Sequence, residues 1–369
     1  YPLCNVPIVM ATYPAAYGID VNEDNLEDLL IAPNVNTEGR DVKNVMYYKN
    51  TGNPLCQFEM QNDSFLVHEM LDFGSDSKPV FFDFNRDGLK DIIVGNFGYF
   101  REFQTYKSTL AYYENIGTAT QPKFKMRTED YNNFSSYLLV GIHPAFGDLD
   151  GDGHDDMLVG DINGYLHFFK NMGTTVASFP SMTTPQYDTI DIGQYSAPFI
   201  YDMNGDSLLD LVVGRKDGRL SYFWNMGTKT NPVFRKDSVN SNFGNVNVTQ
   251  SGYSDGYSQP FVMKDASGNL KLFVGSNRGT VFEYDVNPNN LRSGSFNLIT
   301  NNFLNHDAGS KSVISIADIN NDGMFEYLVG NSLGGLLMFS DSLWDTCTEL
   351  DVPPVLPEEN KLNIYPNPT

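Results

Sequence analysis

Asp148-Leu149-Asp150-Gly151-Asp152-Gly153-His154-Asp155-Asp156, running straight into Met157-Leu158-Val159-Gly160, is the stretch that decides the fold. Oxygen side chains stand at positions 1, 3, 5 and 9 of a nine-residue loop, and a short apolar strand follows. The same register returns from Asp20 to Asp28, from Asp83 to Asp91, from Asp202 to Asp210 and from Asp318 to Glu326. A degenerate copy runs from Met263 to Lys271. The starts at 20, 83, 148, 202, 263 and 318 are 54 to 65 residues apart, so no gap hides another copy.

The flanks repeat as well. A Pro-aromatic segment precedes the loop, as in Pro79-Val80-Phe81-Phe82 and Pro198-Phe199-Ile200-Tyr201. A Gly turn and an aromatic strand follow it, then an Asn-x-Gly-Thr turn at Asn115, Asn171 and Asn225. Each unit therefore reads as four short strands, and such units arranged radially are propeller blades. A linear β-solenoid is the rival, but its rungs are usually shorter than these units. The expectation is an all-β propeller of six four-stranded blades, or seven if an upstream unit exists. Pro2-Leu3-Cys4 matches Pro54-Leu55-Cys56 in the fourth-strand position. The N-terminal strand is thus expected to complete the last blade and close the ring.

The loop chemistry points to a hard cation. Calcium takes six to eight oxygens, and a tight loop presents alternate side chains inward. The expected ligands are Asp20, Asn22, Asp24, Leu26 and Asp28; Asp83, Asn85, Asp87, Leu89 and Asp91; Asp148, Asp150, Asp152, His154 and Asp156. The remaining two sets are Asp202, Asn204, Asp206, Leu208 and Asp210, and Asp318, Asn320, Asp322, Met324 and Glu326. Position 7 would contribute its backbone carbonyl. Position 6 needs a left-handed backbone, supplied by Gly88, Gly153 and Gly323, tolerated by Asn25 and fitted less well by Ser207. Position 12 of the third loop is Val159 and a strand follows, so this is not an EF-hand. Without metal, three or four carboxylates within nine residues repel one another. Five Ca²⁺ would take the formal net charge of −22 to −12. The Asp148 loop, with four carboxylates, is expected to bind tightest. No calcium is assigned to the degenerate copy, where the Lys271 ammonium stands in its place.

Composition narrows the rest. The acidic surface makes nucleic acid an improbable partner, and no apolar run is long enough for a membrane span. The sequence opens at Tyr1 without a signal pattern, which implies a processed leader or a start within a longer protein. Cys4, Cys56 and Cys347 form no metal spacing. A Cys4–Cys347 disulfide is expected, because Cys347 follows the last unit where the chain should pass the closing strand; the alternative is three free thiols.

These repeats resemble the FG-GAP/VCBS family, whose D-x-[DN]-x-D-G-x-x-D hairpins bind calcium in propellers such as the integrin α-subunit head. The resemblance spans roughly residues 13 to 340. The family commonly has seven blades, against six units here. Leu362-Asn363-Ile364-Tyr365-Pro366-Asn367-Pro368-Thr369 is similar to the start of the type A sorting domain of the Bacteroidetes type IX secretion system. The resulting division is a propeller at 1–345, a Pro-rich acidic linker at 346–360 and the beginning of a sorting domain at 361–369. It implies export across the outer membrane to the cell surface, with the secretion machinery as a partner. Secreted relatives of this kind carry O-glycans at Asp-[Ser/Thr]-aliphatic sites, which makes Thr189, Ser238 and Ser342 candidates, beside the alternative that such tripeptides arise by chance.

Two serine motifs invite a catalytic reading. Gly205-Asp206-Ser207-Leu208 lies inside a calcium loop, and Gly252-Tyr253-Ser254-Asp255-Gly256 lies in a loop without the helix a nucleophile elbow needs. The expected function is therefore a surface adhesion or glycan- or protein-binding module, not an enzyme. A propeller-scaffold polysaccharide lyase or hydrolase and a passive spacer are the alternatives.

Overall fold

The computed structural model describes residues 14–33, 45–53, 57–65, 72–101, 105–236, 239–340 and 350–351. The first sheet is an antiparallel meander of β1 (Pro14–Ile19), β2 (Asp28–Pro33), β3 (Met46–Asn50) and β4 (Phe58–Asn62). The second contains β5 (Lys78–Phe82) and β6 (Asp91–Gly95), then, past a small hairpin β7 (Tyr99–Arg101) and β8 (Thr105–Lys107), β9 (Leu110–Asn115) and β10 (Phe124–Thr128). The third is β11 (His143–Gly147), β12 (Asp156–Gly160) and β13 (Leu166–Phe169). The fourth is β14 (Ala197–Tyr201), β15 (Asp210–Gly214) and β16 (Leu220–Phe223). The fifth is β17 (Gln259–Lys264), β18 (Leu270–Gly275), β19 (Val281–Asp285) and β20 (Asn297–Thr300). The sixth is β21 (Val313–Ala317), β22 (Glu326–Gly330) and β23 (Leu336–Ser340). Finally β24 (Leu350–Asp351), inside the stretch read as a linker, adds in parallel to β10.

This is an all-β arrangement consistent with a propeller-like fold. Each loop joins the first two strands of its sheet, as the repeat register predicts. The second strands read as continuous apolar runs because they are central and covered on both faces; every residue of β6, β12, β15 and β22 is buried. Four strands were expected in every unit; among the described residues the third, fourth and sixth sheets have three, and the N-terminal strand expected to complete the sixth lies outside them. In the third and fourth, single bridges, Phe168 to Thr184 and Tyr222 to Asn240, stand at the outer edge. The segments there are rich in Ser, Thr, Asn and Pro, which favour turns over a ladder.

Five apolar cores lie between sheets. They join the second to the third, the third to the fourth, the fourth to the fifth, the fifth to the sixth and the sixth to the second. In the last of these, Ile319 and Leu328 pack with Ile92, Val94 and Ala111. A matching set of backbone bonds runs through the inner ends. Ile142, Ser196, Ser258 and Ser312 donate their N–H to Asn96, Asp161, Arg215 and Ser276 at 3.0–3.1 Å, and Ser77 donates to Asn331 at 2.9 Å. The residue before each donor is left-handed: Asp76, Gly141, Tyr195, Tyr257 and Lys311 have φ between 47° and 69°. Their side chains meet across sheets. Tyr195 Oη donates to Asp76 Oδ2 at 2.5 Å, and Lys311 Nζ donates to Asp76 Oδ2 at 2.9 Å and to Tyr195 Oη at 3.1 Å. Beside them the buried Lys78 donates to Gly141 O at 2.7 Å, and burial pushes its ammonium down to about 8.

Among the described residues these cores link the second to sixth sheets, and none of them includes a residue of the first, which was expected to be one of six blades. In β1 the side chains of Tyr17 and Ile19 are 62% and 52% exposed, where the matching strands elsewhere are covered by a neighbour. The N-terminal strand expected to close the ring, with Cys4, Cys56 and Cys347, lies outside the described residues.

Close approach at the inner ends demands glycine. A Cβ on Gly160, Gly214, Gly275 or Gly330 would stand 1.9–2.2 Å from the carbonyl oxygen of Ser196, Ser258, Ser312 or Ser77 on the next sheet. Gly214→Ala should therefore push the fourth and fifth sheets apart and cost about 2 kcal/mol or more. Urea unfolding would measure it; an unchanged midpoint would contradict this packing.

Candidate metal centres

All five acidic loops fold alike, because each oxygen side chain caps a specific backbone N–H. The position 1 carboxylate accepts from the N–H of position 6 at 2.8–3.1 Å, in Asp20, Asp83, Asp148, Asp202 and Asp318. Position 3 accepts from position 5 at 2.8–3.2 Å. Position 5 accepts from position 7 at 2.8–3.0 Å. Position 6 is left-handed in every loop, Ser207 included with φ 68°. So is position 4, at Glu23, Arg86, Gly151, Gly205 and Asn321, a demand the motif reading missed. The left-handed pair gathers the side chains of positions 1, 3 and 5 on the inside of the bend. Position 7 presents exposed side chains such as Leu26 and Met324, while its N–H is held by position 5.

Position 9 has a different place. Asp28, Asp91, Asp156, Asp210 and Glu326 start the second strands and are buried. One oxygen accepts the N–H of position 2, from Val21, Phe84, Leu149, Met203 and Ile319 at 2.9–3.3 Å. In four of them the other oxygen accepts the N–H of Asn50, Asn115, Asn171 or Asn225 at 2.7–2.8 Å. Those asparagines, seen in the sequence only as turn residues, use their own Oδ1 to cap the N–H two residues on. Tyr47, Tyr112 and Tyr222 donate their hydroxyls to the same carboxylates.

The donor set fits a divalent cation. One carboxylate oxygen each from Asp148, Asp150 and Asp156 lies within 4.8 Å of the others. Asp83 Oδ1 and Asp318 Oδ1 are buried without a hydrogen-bond partner. Burial pushes the Asp156 carboxyl up to about 7 against its backbone bonds, and Asp150 and Asp152 raise it further. The same balance, led by burial, puts Asp91 and Asp210 at about 6. In Asp28, bonds from Asn50 and Val21 outweigh burial and lower it. A +2 ion among these oxygens would favour their charged forms against the burial that raises Asp91, Asp156 and Asp210.

The degenerate copy has no such arrangement. Lys271 turns to the third strand, 2.6 Å from Asp285 and 3.4 Å from Glu283, and Asp265 caps Ser267 and Asn269 in a plain turn. Of the two serines flagged by sequence, Ser207 lies in the bend of its loop and Ser254 donates to Asp255 at 3.0 Å. Among the described residues, the hydrogen bonds of neither run to a histidine. His143 and His167 are buried; His167 Nε2 pairs with Asp161 at 3.2 Å. Thr189 is exposed, whereas Ser238, Ser342 and the C-terminal residues 361–369 lie outside the described residues.

Asp210→Ala removes the acceptor of Met203 N–H, Asn225 N–H and Tyr222 Oη–H, all buried. The expected loss is roughly 3 kcal/mol even in chelator, with Asp210→Asn losing less because one carbonyl oxygen remains. Denaturant titration of the two variants in EDTA would test it; equal stability of Asp210→Ala and the unaltered chain would refute the structural role.

Two overlapping stretches, residues 83–159 and 148–213, match the model of the FG-GAP-like repeat. No curated protein matches the chain. Among solved structures, it is similar to a lectin of Agrocybe aegerita that recognises non-reducing terminal N-acetylglucosamine. The identity is 15% and the TM-score 0.34, with 89% of this chain and 79% of that one covered.

Proposed function

We propose that the chain is a calcium-loaded binding module of the cell surface, with the second to sixth sheets as five propeller blades and the first sheet outside their ring. The observation that carries the metal reading is the shared loop geometry, repeated five times, with three carboxylate oxygens brought within 4.8 Å of one another in the Asp148 loop. Calcium is favoured over magnesium because the donors are all oxygen on a flexible loop, not a rigid octahedron. The ligands would be positions 1, 3, 5 and 9 with the carbonyl of position 7.

The binding surface would be the rim that carries the loops. A cleft of about 400 Å³ opens there between the third and fourth sheets. Its floor is Phe146, Ile200 and Leu209, and its edge is Asp148, Asn225 and Lys229. An apolar floor with a few polar groups suits a sugar ring or a protein side chain. The neighbouring Asn-x-Gly-Thr turns each expose one apolar side chain, Ile116, Met172 and Met226. Among the described residues the carboxylates of the five acidic loops serve as loop caps, which supports a structural use for them. The sorting-domain resemblance of residues 361–369 supports export by the type IX machinery, and the exposed Thr189 is a candidate O-glycan site.

Chelation should lower the melting temperature by more than about 5 °C, since an ion bound only to the folded state stabilises it by mass action. An unchanged melt from a demonstrably stripped sample would overturn the calcium reading. On a glycan array in calcium, the chain should retain specific glycans, and Lys229→Ala should lose them. Turnover of a polysaccharide without retention would favour the enzyme instead.

A further inference from the structure

The third strand of each sheet faces the loop with a different side chain. Extended by one residue, the ladders set Lys49, Glu114, Lys170 and Trp224 opposite position 9 in the first four sheets, and Ser340 faces Glu326 in the sixth. In the fifth the charges are exchanged, with Lys271 at position 9 and Asp285 facing it. One position thus carries a cation, an anion or a neutral group while the loop chemistry stays nearly constant.

These side chains reach the ligand positions. Lys170 Nζ lies against Asp150 and 3.1 Å from Asp152, in the loop with the most carboxylates. Lys49 Nζ lies 3.5 Å from Asp24. In the second sheet the sign is opposite. Glu114 Oε1 is 3.5 Å from Asn85 Nδ2, while its Oε2 is held at 2.5 Å by Arg127 from β10. Arg127 thereby fixes the carboxylate with its free oxygen toward the loop.

We propose that this facing residue ranks the metal sites: Glu114 adds a carboxylate to the Asp83 loop, which fills first, and Lys170 occupies the Asp148 loop as an internal cation that calcium must displace. The proposal rests on the calcium reading and reverses the order expected from counting carboxylates within the loops. Four carboxylates less the Lys170 and Lys229 ammoniums leave the Asp148 site less negative than three carboxylates plus Glu114 less its Arg127 partner. Lys170 is about one-third exposed, so it can leave toward water, and the ranking is one of affinity, not of access.

Calcium titration calorimetry on the full chain tests this with Lys170→Met, Lys170→Gln and Glu114→Gln, using Asp87→Asn as the reference for a lost site. Both Lys170 variants should tighten one site by about tenfold or more, from removal of a competing charge in contact with the ligands. The gain should vanish when Asp150→Asn is added. Glu114→Gln should weaken a different, tighter site by a similar factor. Isotherms of the Lys170 and Glu114 variants that match the parent, while Asp87→Asn still deletes a site, would overturn the ranking and leave the calcium reading intact. No calcium heat in any form, Asp87→Asn included, would overturn both.

Discussion

The structure depends on one buried acceptor, the carboxylate at position 9. It sits at the start of a central strand and takes the N–H of position 2 on one oxygen and the N–H of an asparagine at or just past the end of the third strand on the other. A single side chain therefore closes the loop on itself and fixes the loop to its sheet. A buried charge without partners would be costly; two or three donors offset that cost and make the geometry specific. The remaining oxygens of the loop are then free to turn inward. Glu326 shows the limit of substitution: its longer side chain still caps Ile319 but takes Ser340 Oγ and Asn320 Nδ2 in place of a backbone donor from the third strand.

Sheets built this way must still find one another. Packing of central strands alone gives no register between sheets, since apolar faces slide. Register comes from the inner ends, where a left-handed residue redirects the chain and the next N–H binds a carbonyl of the preceding sheet. Asp76, Tyr195 and Lys311, from the second, fourth and sixth sheets, then share one hydrogen-bonded cluster. Such a cluster forms only when three separate sheets converge. The first sheet satisfies its own loop as the others do, yet Tyr17 and Ile19 stand exposed. Local folding of a loop and packing of its sheet against a neighbour are thus separate properties of the repeat.

The repeat, the strand pairs around each loop and the metal-type donor set were legible because they are local. They follow from residue types at fixed spacing within nine residues, and Gly88, Gly153 and Gly323 stood where the bend needs them. What the sequence hid was non-local. Asn115, Asn171 and Asn225 looked like turn residues, and nothing in their spacing showed that their N–H groups bind position 9 from 15 to 24 residues away. The exposure of β1 was equally hidden, since the first loop is a fair copy of the motif. It is the neighbour's glycine and carbonyl, not the loop, that decide which sheets meet. Glu114 and Lys170 belong to no loop motif in the sequence, and only the ladders place them against the loops.

Position 4 links the loops to the ring as a whole. Arg86 of the second sheet donates to the carbonyls of Gly173 and Thr174 in the third at 3.1 and 3.0 Å. Asn321 of the sixth donates to Ala119 of the second at 3.3 Å, and the bend at Gly151 of the third approaches Lys229 of the fourth. Each of these loops thus touches the Asn-x-Gly-Thr turn of the next sheet with the residue beside its ligand positions. The left-handed backbone at position 4 is what brings each of these residues to the neighbouring turn. Lys229, Gly151's neighbour, also lines the cleft between the third and fourth sheets. Lys229 therefore ties the bend of the third sheet's loop to the cleft between the third and fourth sheets.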